Sequence, residues 1–148
     1  MNIDPKKIYQ EGATRGATQI ELVIFLYEAA IQDMRSALLA VQAGDIETRC
    51  AKVSHALLIL QQLQGTLDFA RGGKAAKQFE SFYNLVRANL LQAQVRNSAD
   101  LIQQQIACMS EVRDSWRRAR QILEAGSRQA NTVPATAMQE MPEAGWSA

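Results

Sequence analysis

Four stretches of this 148-residue chain place apolar residues alternately four and three positions apart, and this spacing constrains the fold more than any other feature. The first stretch shows it most clearly, at Ile20, Ile24, Tyr27, Ile31, Met34, Leu38 and Val41. Because an α-helix completes a turn in about 3.6 residues, the whole set lies along one side of a helix. No alternating run of β-branched residues bounded by turn signals competes with this pattern. The sequence therefore predicts an all-α protein.

Capping residues and glycines divide the chain into four helices. The predicted helices cover residues 18–43, 45–69, 74–97 and 98–126. Thr18 with Glu21 forms a capping box for the first helix, and Asp45 and Ser98 are typical N-caps for the second and fourth. Gly126 is expected to end the fourth.

Helices joined by turns this short pack antiparallel to their neighbours, so residues 18–126 are predicted to form an up-down-up-down four-helix bundle. Residues 1–17 are polar apart from Ile8 and Tyr9, and we expect a loose N-terminal arm or lid there. Residues 127–148 contain two prolines and no apolar period, so we expect a disordered tail.

Composition and charge exclude several classes of protein. The formal net charge is +1, so no overall field attracts nucleic acid or anionic lipid. The most apolar stretch, residues 18–31, contains Glu21 and Glu28, which argues against membrane insertion. The N-terminus lacks an apolar segment followed by a cleavage site, so we expect no signal peptide. We expect Cys50 and Cys108 to be small buried thiols in a reducing compartment.

No constellation of residues points to catalysis or to a cofactor. His55 is the single histidine and Lys52 stands three positions before it, which excludes the Glu-x-x-His pairs of a di-iron bundle. Neither cysteine has a histidine or an acid at the spacing of a thiol nucleophile. The glycine pair in ARGGK, residues 70–74, fits a helix-terminating turn better than a phosphate-binding loop. We predict a protein that is not an enzyme and needs no metal or cofactor.

Three arginines, Arg113, Arg117 and Arg120, form a stripe on the predicted fourth helix. Such a stripe can bind phosphates. In a nearly neutral chain without interleaved aromatic residues, a solvated face partly paired with Glu111 and Glu124 is the favoured interpretation. An acidic protein partner stays open as an alternative.

The first half of the first helix has more apolar residues than one core stripe needs. Leu22, Phe25, Leu26 and Ala29 fall largely on the opposite side, at about 100° per residue. Later outward positions, Asp33 among them, are polar. The sequence therefore predicts an exposed apolar patch at one end of the bundle.

Three occupants could cover that patch. The N-terminal arm could fold back and bury Ile8 and Tyr9 against it, or a second copy of the chain could form a homodimer contact. The patch could instead be a docking groove for an apolar stretch of a partner. The first and third interpretations are compatible if the arm is a displaceable lid.

Short motifs follow one another in a fixed order along the chain. They are Tyr9, Glu21-Leu22, Leu26-Tyr27-Glu28, Gly44-Asp45-Ile46-Glu47 with Arg49, Leu67-Asp68-Phe69 with Gly72-Gly73, Ala76, Tyr83, Leu90-Leu91, Ala93, Asn97 and Trp116. This ordered series, over roughly residues 8–123, resembles the FliS family of flagellar secretion chaperones. Thr18-Gln19 stands where the family has Ser-Pro, which keeps the cap and loses the rigid first turn.

The resemblance implies a cytoplasmic bundle that binds the disordered C-terminal segment of flagellin, prevents its polymerisation and delivers it to the export gate protein of the flagellar apparatus. An anti-sigma factor is a second candidate partner. We assign the partner surface to Ile8 and Tyr9 as the lid, to Leu22, Phe25, Leu26 and Tyr27 on the first helix, and to Leu57, Tyr83 and Asn89 beside it. The alternative is a self-associating structural or adaptor bundle that binds another flagellar partner.

Overall fold

The computed structural model describes residues 19–132, which form four α-helices and contain no strand. The helices are α1 (Gln19–Ala43), α2 (Ile46–Gly65), α3 (Phe69–Arg96) and α4 (Ala99–Thr132). α1 packs against α2 and α4, and α3 packs against the same two helices on the other side. The predicted up-down-up-down bundle is confirmed. The predicted arm and the tail beyond residue 132 lie outside the described residues.

Capping residues define most of the helix ends, and the predicted caps Asp45 and Ser98 are among them. Asp45 and Asp68 each accept hydrogen bonds from backbone N–H groups in the first turn of α2 and α3. The Ser98 hydroxyl does the same for α4. Asn97 ends α3 with a left-handed backbone (φ 52°), which asparagine tolerates better than most residues. The chain therefore reverses sharply between α3 and α4.

The turn between α2 and α3 comes earlier than predicted. α2 ends at Gly65 instead of near Phe69, because the N–H and hydroxyl of Thr66 bond back to carbonyl oxygens of the last turn. Phe69 therefore begins α3 with one short turn, Phe69–Gly72. Because the backbone of Gly73 is not helical, the continuous part of α3 starts after the glycine pair, as predicted.

α4 is longer than predicted. It continues through Gly126 to Thr132 instead of stopping at the glycine. Gly126 does not adopt the left-handed conformation that would end the helix. A glycine in ordinary helical geometry costs only about 1 kcal/mol relative to alanine, so it does not by itself break a helix.

The two cysteines are less buried than predicted. Cys108 is exposed on α4 and Cys50 is half-buried on α2, and both are free thiols. The buried stripe of α4 passes through Ile102, Ile106 and Met109, so Cys108 falls on the opposite side of that helix. The expectation of two buried thiols is wrong for Cys108.

Candidate partner-binding groove

An apolar groove of about 520 Å³ opens at the end of the bundle where α1 and α3 begin. Its lining comes from α1, α3 and α4 and from the α2–α3 turn: Gln19, Ile20, Val23, Thr66, Leu67, Asp68, Gly72, Ala75, Ala76, Phe79, Tyr83, Trp116 and Leu123. Most of these side chains are apolar, so the groove offers hydrophobic surface and few hydrogen-bonding groups.

Aromatic side chains form one wall of the groove. The Phe79 ring stacks on Trp116 with the centroids 5.3 Å apart, and on Tyr83 with the centroids 6.1 Å apart. Aromatic rings have few rotatable bonds, so a stacked set loses little conformational entropy when a ligand packs against it. This wall is therefore rigid apolar surface contributed by α3 and α4.

Behind that wall, a buried pair of hydroxyl groups links α1 to α3. The Tyr27 and Tyr83 oxygens lie 2.8 Å apart, and both side chains are almost completely buried. Burial raises the pKa of both hydroxyls, so they stay neutral and protonated at ordinary pH. The indole N–H of Trp116 lies near the Tyr27 hydroxyl without reaching hydrogen-bond geometry.

The α2–α3 turn forms the opposite side of the groove and breaks the regularity of α3. Gly73 has φ 50° and ψ −120°, which lies outside helical geometry, so the turn Phe69–Gly72 is separated from the rest of the helix. A Cβ on Gly72 would lie 2.9 Å from the Cβ of Ala76, which is closer than carbon atoms approach. Both glycines are therefore required by this local geometry.

Ion pairs lie on the outer surface near the groove. Arg117 of α4 pairs with Glu28 of α1 at 2.5 Å and with Asp114 at 3.6 Å. Arg120 approaches Glu124 at 4.0 Å and Arg113 pairs with Asp114 at 3.2 Å. The predicted arginine stripe is thus paired with acidic side chains, of which only Glu124 was an expected partner. The stripe is not uniformly solvated, because the Arg113 side chain is only 15% exposed.

Within the part of the chain that the structure describes, no group of three or more His, Cys, Asp or Glu side chains could hold a metal ion. Among the same residues, no helix combines the length and the apolar character needed to cross a membrane.

Comparison with known proteins places the chain in a family. Residues 1–123 match the family described as Flagellar protein FliS. The chain belongs to the FliS family. The flagellar secretion chaperone FliS of Bacillus subtilis is 26% identical over 116 residues, which cover 78% of this chain and 86% of that protein. Its namesake in Salmonella typhimurium is 28% identical over 109 residues, or 73% of this chain and 81% of that protein.

In this FliS-family chain, the predicted exposed patch on the first helix is largely buried. Leu22 and Leu26 are 6% and 0% exposed, and only Phe25 of the set, at 43%, is clearly exposed. Leu26 lies four positions after Leu22, and Asp33 lies seven positions after Leu26. At this spacing the three residues share one side of α1. The prediction that Leu22 and Leu26 form a free surface is wrong.

A contact farther along that side of α1 shows which helix it faces. The Asp33 carboxylate lies 2.5 Å from Nδ1 of His55 on α2, and Asp33 is buried, not outward-facing as its polarity suggested. Burial raises the pKa of Asp33, and the bond to His55 opposes that shift. α1 therefore has two buried stripes because it packs closely against both α2 and α4.

The remaining assigned residues are dispersed over the molecule. Tyr83 lines the groove, with Tyr27 directly behind it. Leu57 is half-buried against the core, and the Asn89 amide donates to Gln105 at 3.4 Å between α3 and α4. Ile8 and Tyr9 lie outside the described residues.

The sequence missed the groove because its lining comes from the same stripes as the core. Ile20, Phe79 and Trp116 belong to the four-and-three stripes that predict burial, and each is only partly buried in the structure. Ile20 lies in the first turn of α1 and Phe79 in the first turns after the break at Gly73, whereas Trp116 lies near the middle of α4. No shared position along the helices separates them from core residues, so the local pattern alone could not have found the groove.

Proposed function

We propose that this FliS-family chain is an export chaperone for flagellin. It binds the disordered C-terminal segment of flagellin in the cytoplasm, prevents premature polymerisation and delivers the subunit to the export gate of the flagellar type III apparatus. Family membership over residues 1–123, and relatives named flagellar secretion chaperones, support this role. The observation that carries it is the apolar groove at the open end of the bundle.

The groove suits an apolar segment that folds as it binds. Burying one leucine-sized side chain contributes about 1.5–3 kcal/mol, so a few anchors supply most of the binding free energy. Ordering the segment opposes this by several kcal/mol, which leaves a specific complex that can still dissociate. A chaperone that must release its cargo needs that balance.

The N-terminal arm is our proposed lid for the groove. Gln19, the first described residue, lines the groove, so the arm leaves the bundle directly at its rim. Ile8 and Tyr9 lie about ten residues upstream, and about 3.3 Å per extended residue is enough to cross the opening. In this proposal the two side chains occupy the groove of the free protein and flagellin displaces them.

The wider partner surface uses residues outside the groove. Phe25 is exposed on α1 and Leu57 is half-buried on α2. A long flagellin segment that wraps around the bundle would reach them after leaving the groove. Leu22, Leu26 and Tyr27 support this surface from inside, because they are buried.

Calorimetric titration with the flagellin C-terminal segment of the same organism tests the function. We expect tight one-to-one binding with a large negative heat-capacity change, the signature of coupled folding onto apolar surface. Absence of binding by the unmodified chain would contradict the proposal.

Two adjacent residues of α4 provide a matched pair of variants. Leu123 lines the groove, whereas Ile122 is 70% exposed and does not line it. We expect Leu123→Arg to weaken flagellin binding at least tenfold and Ile122→Arg to leave it within about twofold. Equal effects of the two would mean that flagellin binds elsewhere on the bundle.

Light scattering tests the alternative of a self-associating bundle. A dimer that persists on dilution and dissociates in Phe25→Ala would favour that alternative over an open docking surface.

A further inference from the structure

The break at Gly73 is the one conformation in α3 that no ordinary residue adopts. Its φ of 50° with ψ of −120° lies outside the regions open to residues with a Cβ, including the left-handed helical region. Glycine reaches this region without steric cost because it has no Cβ, so the break depends on a glycine at position 73 and not on strain. The break therefore calls for a reason beyond helix formation.

The core of α3 does not supply that reason. The buried side chains of the helix lie from Ala76 onward, and residues 68–75 are all exposed. Asp68 caps the first turn through bonds to the N–H groups of Ala70 and Arg71, each at 3.1 Å.

The break does affect the groove. Leu67, Asp68 and Gly72, which precede it, line one side, and Ala75 and Ala76, which follow it, line the floor. The N–H of Gly72 donates to the Asp68 carbonyl oxygen at 2.7 Å, which closes the turn. Leu67 packs against the core at the start of the turn, whereas residues 68–72 are exposed, so their position depends on the backbone of Gly73.

We propose that Gly73 is a positioning residue for partner binding. By allowing the break, it holds the turn of residues 67–72 away from the axis of α3 and sets the width of the groove. Gly72 lets that turn approach Ala76. The width so produced admits the bulky aliphatic and aromatic side chains of an apolar helical segment. The inference rests on the proposed function.

Replacement of Gly73 by alanine tests the proposal directly. Space is not limiting, because a Cβ there meets no atom within 4 Å, so the effect comes from the backbone alone. We expect Gly73→Ala to shift the turn and weaken flagellin binding about tenfold or more, with an unchanged helical circular dichroism spectrum.

Gly65→Ala is the matched control. Gly65 lies at the end of α2 near the same turn, has an ordinary φ, and its Cβ would also meet no atom within 4 Å. We expect its affinity to stay within about twofold of the unmodified chain. Binding by Gly73→Ala equal to that of this control would overturn the inference while leaving the proposed function intact.

A second set of variants shifts the same turn without placing a residue with a Cβ at the positive φ of Gly73. Gly72→Ala would place its Cβ 2.9 Å from that of Ala76 and push the turn outward, so binding should weaken. The double variant Gly72→Ala/Ala76→Gly lacks the opposing methyl group. Its affinity for flagellin should therefore return close to that of the single variant Ala76→Gly. Absence of rescue would count against the proposal, even if Gly73→Ala failed to fold.

The position of the turn can also be read without a partner. The chain has two tryptophans, and Trp116 lines the groove, so Trp146→Phe leaves one fluorescent reporter at the site. We expect the emission of Trp116 to shift in Gly73→Ala but not in Gly65→Ala. Identical emission in both would contradict the inference, even if the unmodified chain bound no flagellin and the proposed function failed.

Discussion

The two ends of this bundle use the same pattern of residues in opposite ways. At one end, the α1–α2 and α3–α4 turns are tight, and a hydrogen bond from Arg49 to the Asn97 side chain joins them. At the other end, a longer turn joins α2 to α3, α1 begins, and α4 runs past its neighbours. At the first end the stripe residues Ala93 and Ile102 are buried and only the first stripe residue of α2, Ile46, is exposed, whereas at the second end the stripes of α1, α3 and α4 open into the groove. A core stripe thus becomes open apolar surface where the chain does not close over it.

The largest expected effect comes from the covered part of α1. Leu26→Ala removes a side chain that is 0% exposed, and we expect a loss of about 2–5 kcal/mol in the free energy of unfolding, because a cavity remains. Phe25→Ala, one position away and exposed, should change stability far less. Chemical denaturation of both variants measures the difference. Similar losses would mean that this side of α1 is not the close α2 interface described above.

The hydroxyl pair behind the groove should give the next largest effect. Tyr27→Phe or Tyr83→Phe leaves the other buried hydroxyl without its partner, at a cost of about 1–3 kcal/mol. The double variant should lose less than the sum of the single losses, because it leaves no unpaired group. Chemical denaturation of the four proteins measures the coupling. Additive losses would mean that the two hydroxyls do not interact.

The same pair predicts a dependence on alkaline pH. The folded pKa values lie above the ordinary value of 10.0, so above that pH the unfolded chain releases protons that the folded chain retains. Stability should therefore fall as the pH rises above about 10, and this slope should be smaller in the double phenylalanine variant. Equal slopes in the two proteins would contradict the assignment.

The smallest expected effect concerns Asp33 and His55. Burial raises the pKa of Asp33 above 3.8, so the folded state keeps the carboxyl proton to a higher pH than the unfolded state does. The stability that this group contributes is therefore lost as the pH rises through the pKa of Asp33 in the folded state. Asp33→Asn removes that loss and keeps an acceptor for His55. We expect a change within about 1 kcal/mol at neutral pH and a weaker acid-side pH dependence, measured by thermal unfolding. A large destabilisation would show that the charged pair itself holds α1 to α2.

The sequence predicted the number of helices, their approximate bounds and their antiparallel order, because each follows from local spacing and capping. It did not predict which side of α1 is covered. Leu22 and Leu26 form a second apolar stripe, and one helix alone does not show whether such a stripe meets a neighbour or a partner. The decisive neighbour, His55, lies in another helix and comes into contact only through tertiary packing.

The groove was harder to predict for a related reason. Tyr83 was assigned to the partner surface, and it lines the groove. Phe79 and Trp116, which also line the groove, were assigned to the core. Their exposure depends on where α2 stops and on how Gly73 redirects the chain. Local pattern placed the glycine pair in a turn, but the φ of 50° at Gly73, and its effect on the groove, required the assembled backbone.

The extension of α4 to Thr132 has a consequence for effective concentration. Thr132 lies nine residues beyond Leu123, or about 14 Å along the helix axis at about 1.5 Å per residue. A peptide attached after that point by a short flexible linker would start beside the groove and sample it at an effective concentration on the order of millimolar. A weakly binding segment could then occupy the groove almost fully as part of the same polypeptide, so this end of the molecule is the natural place to tether a ligand.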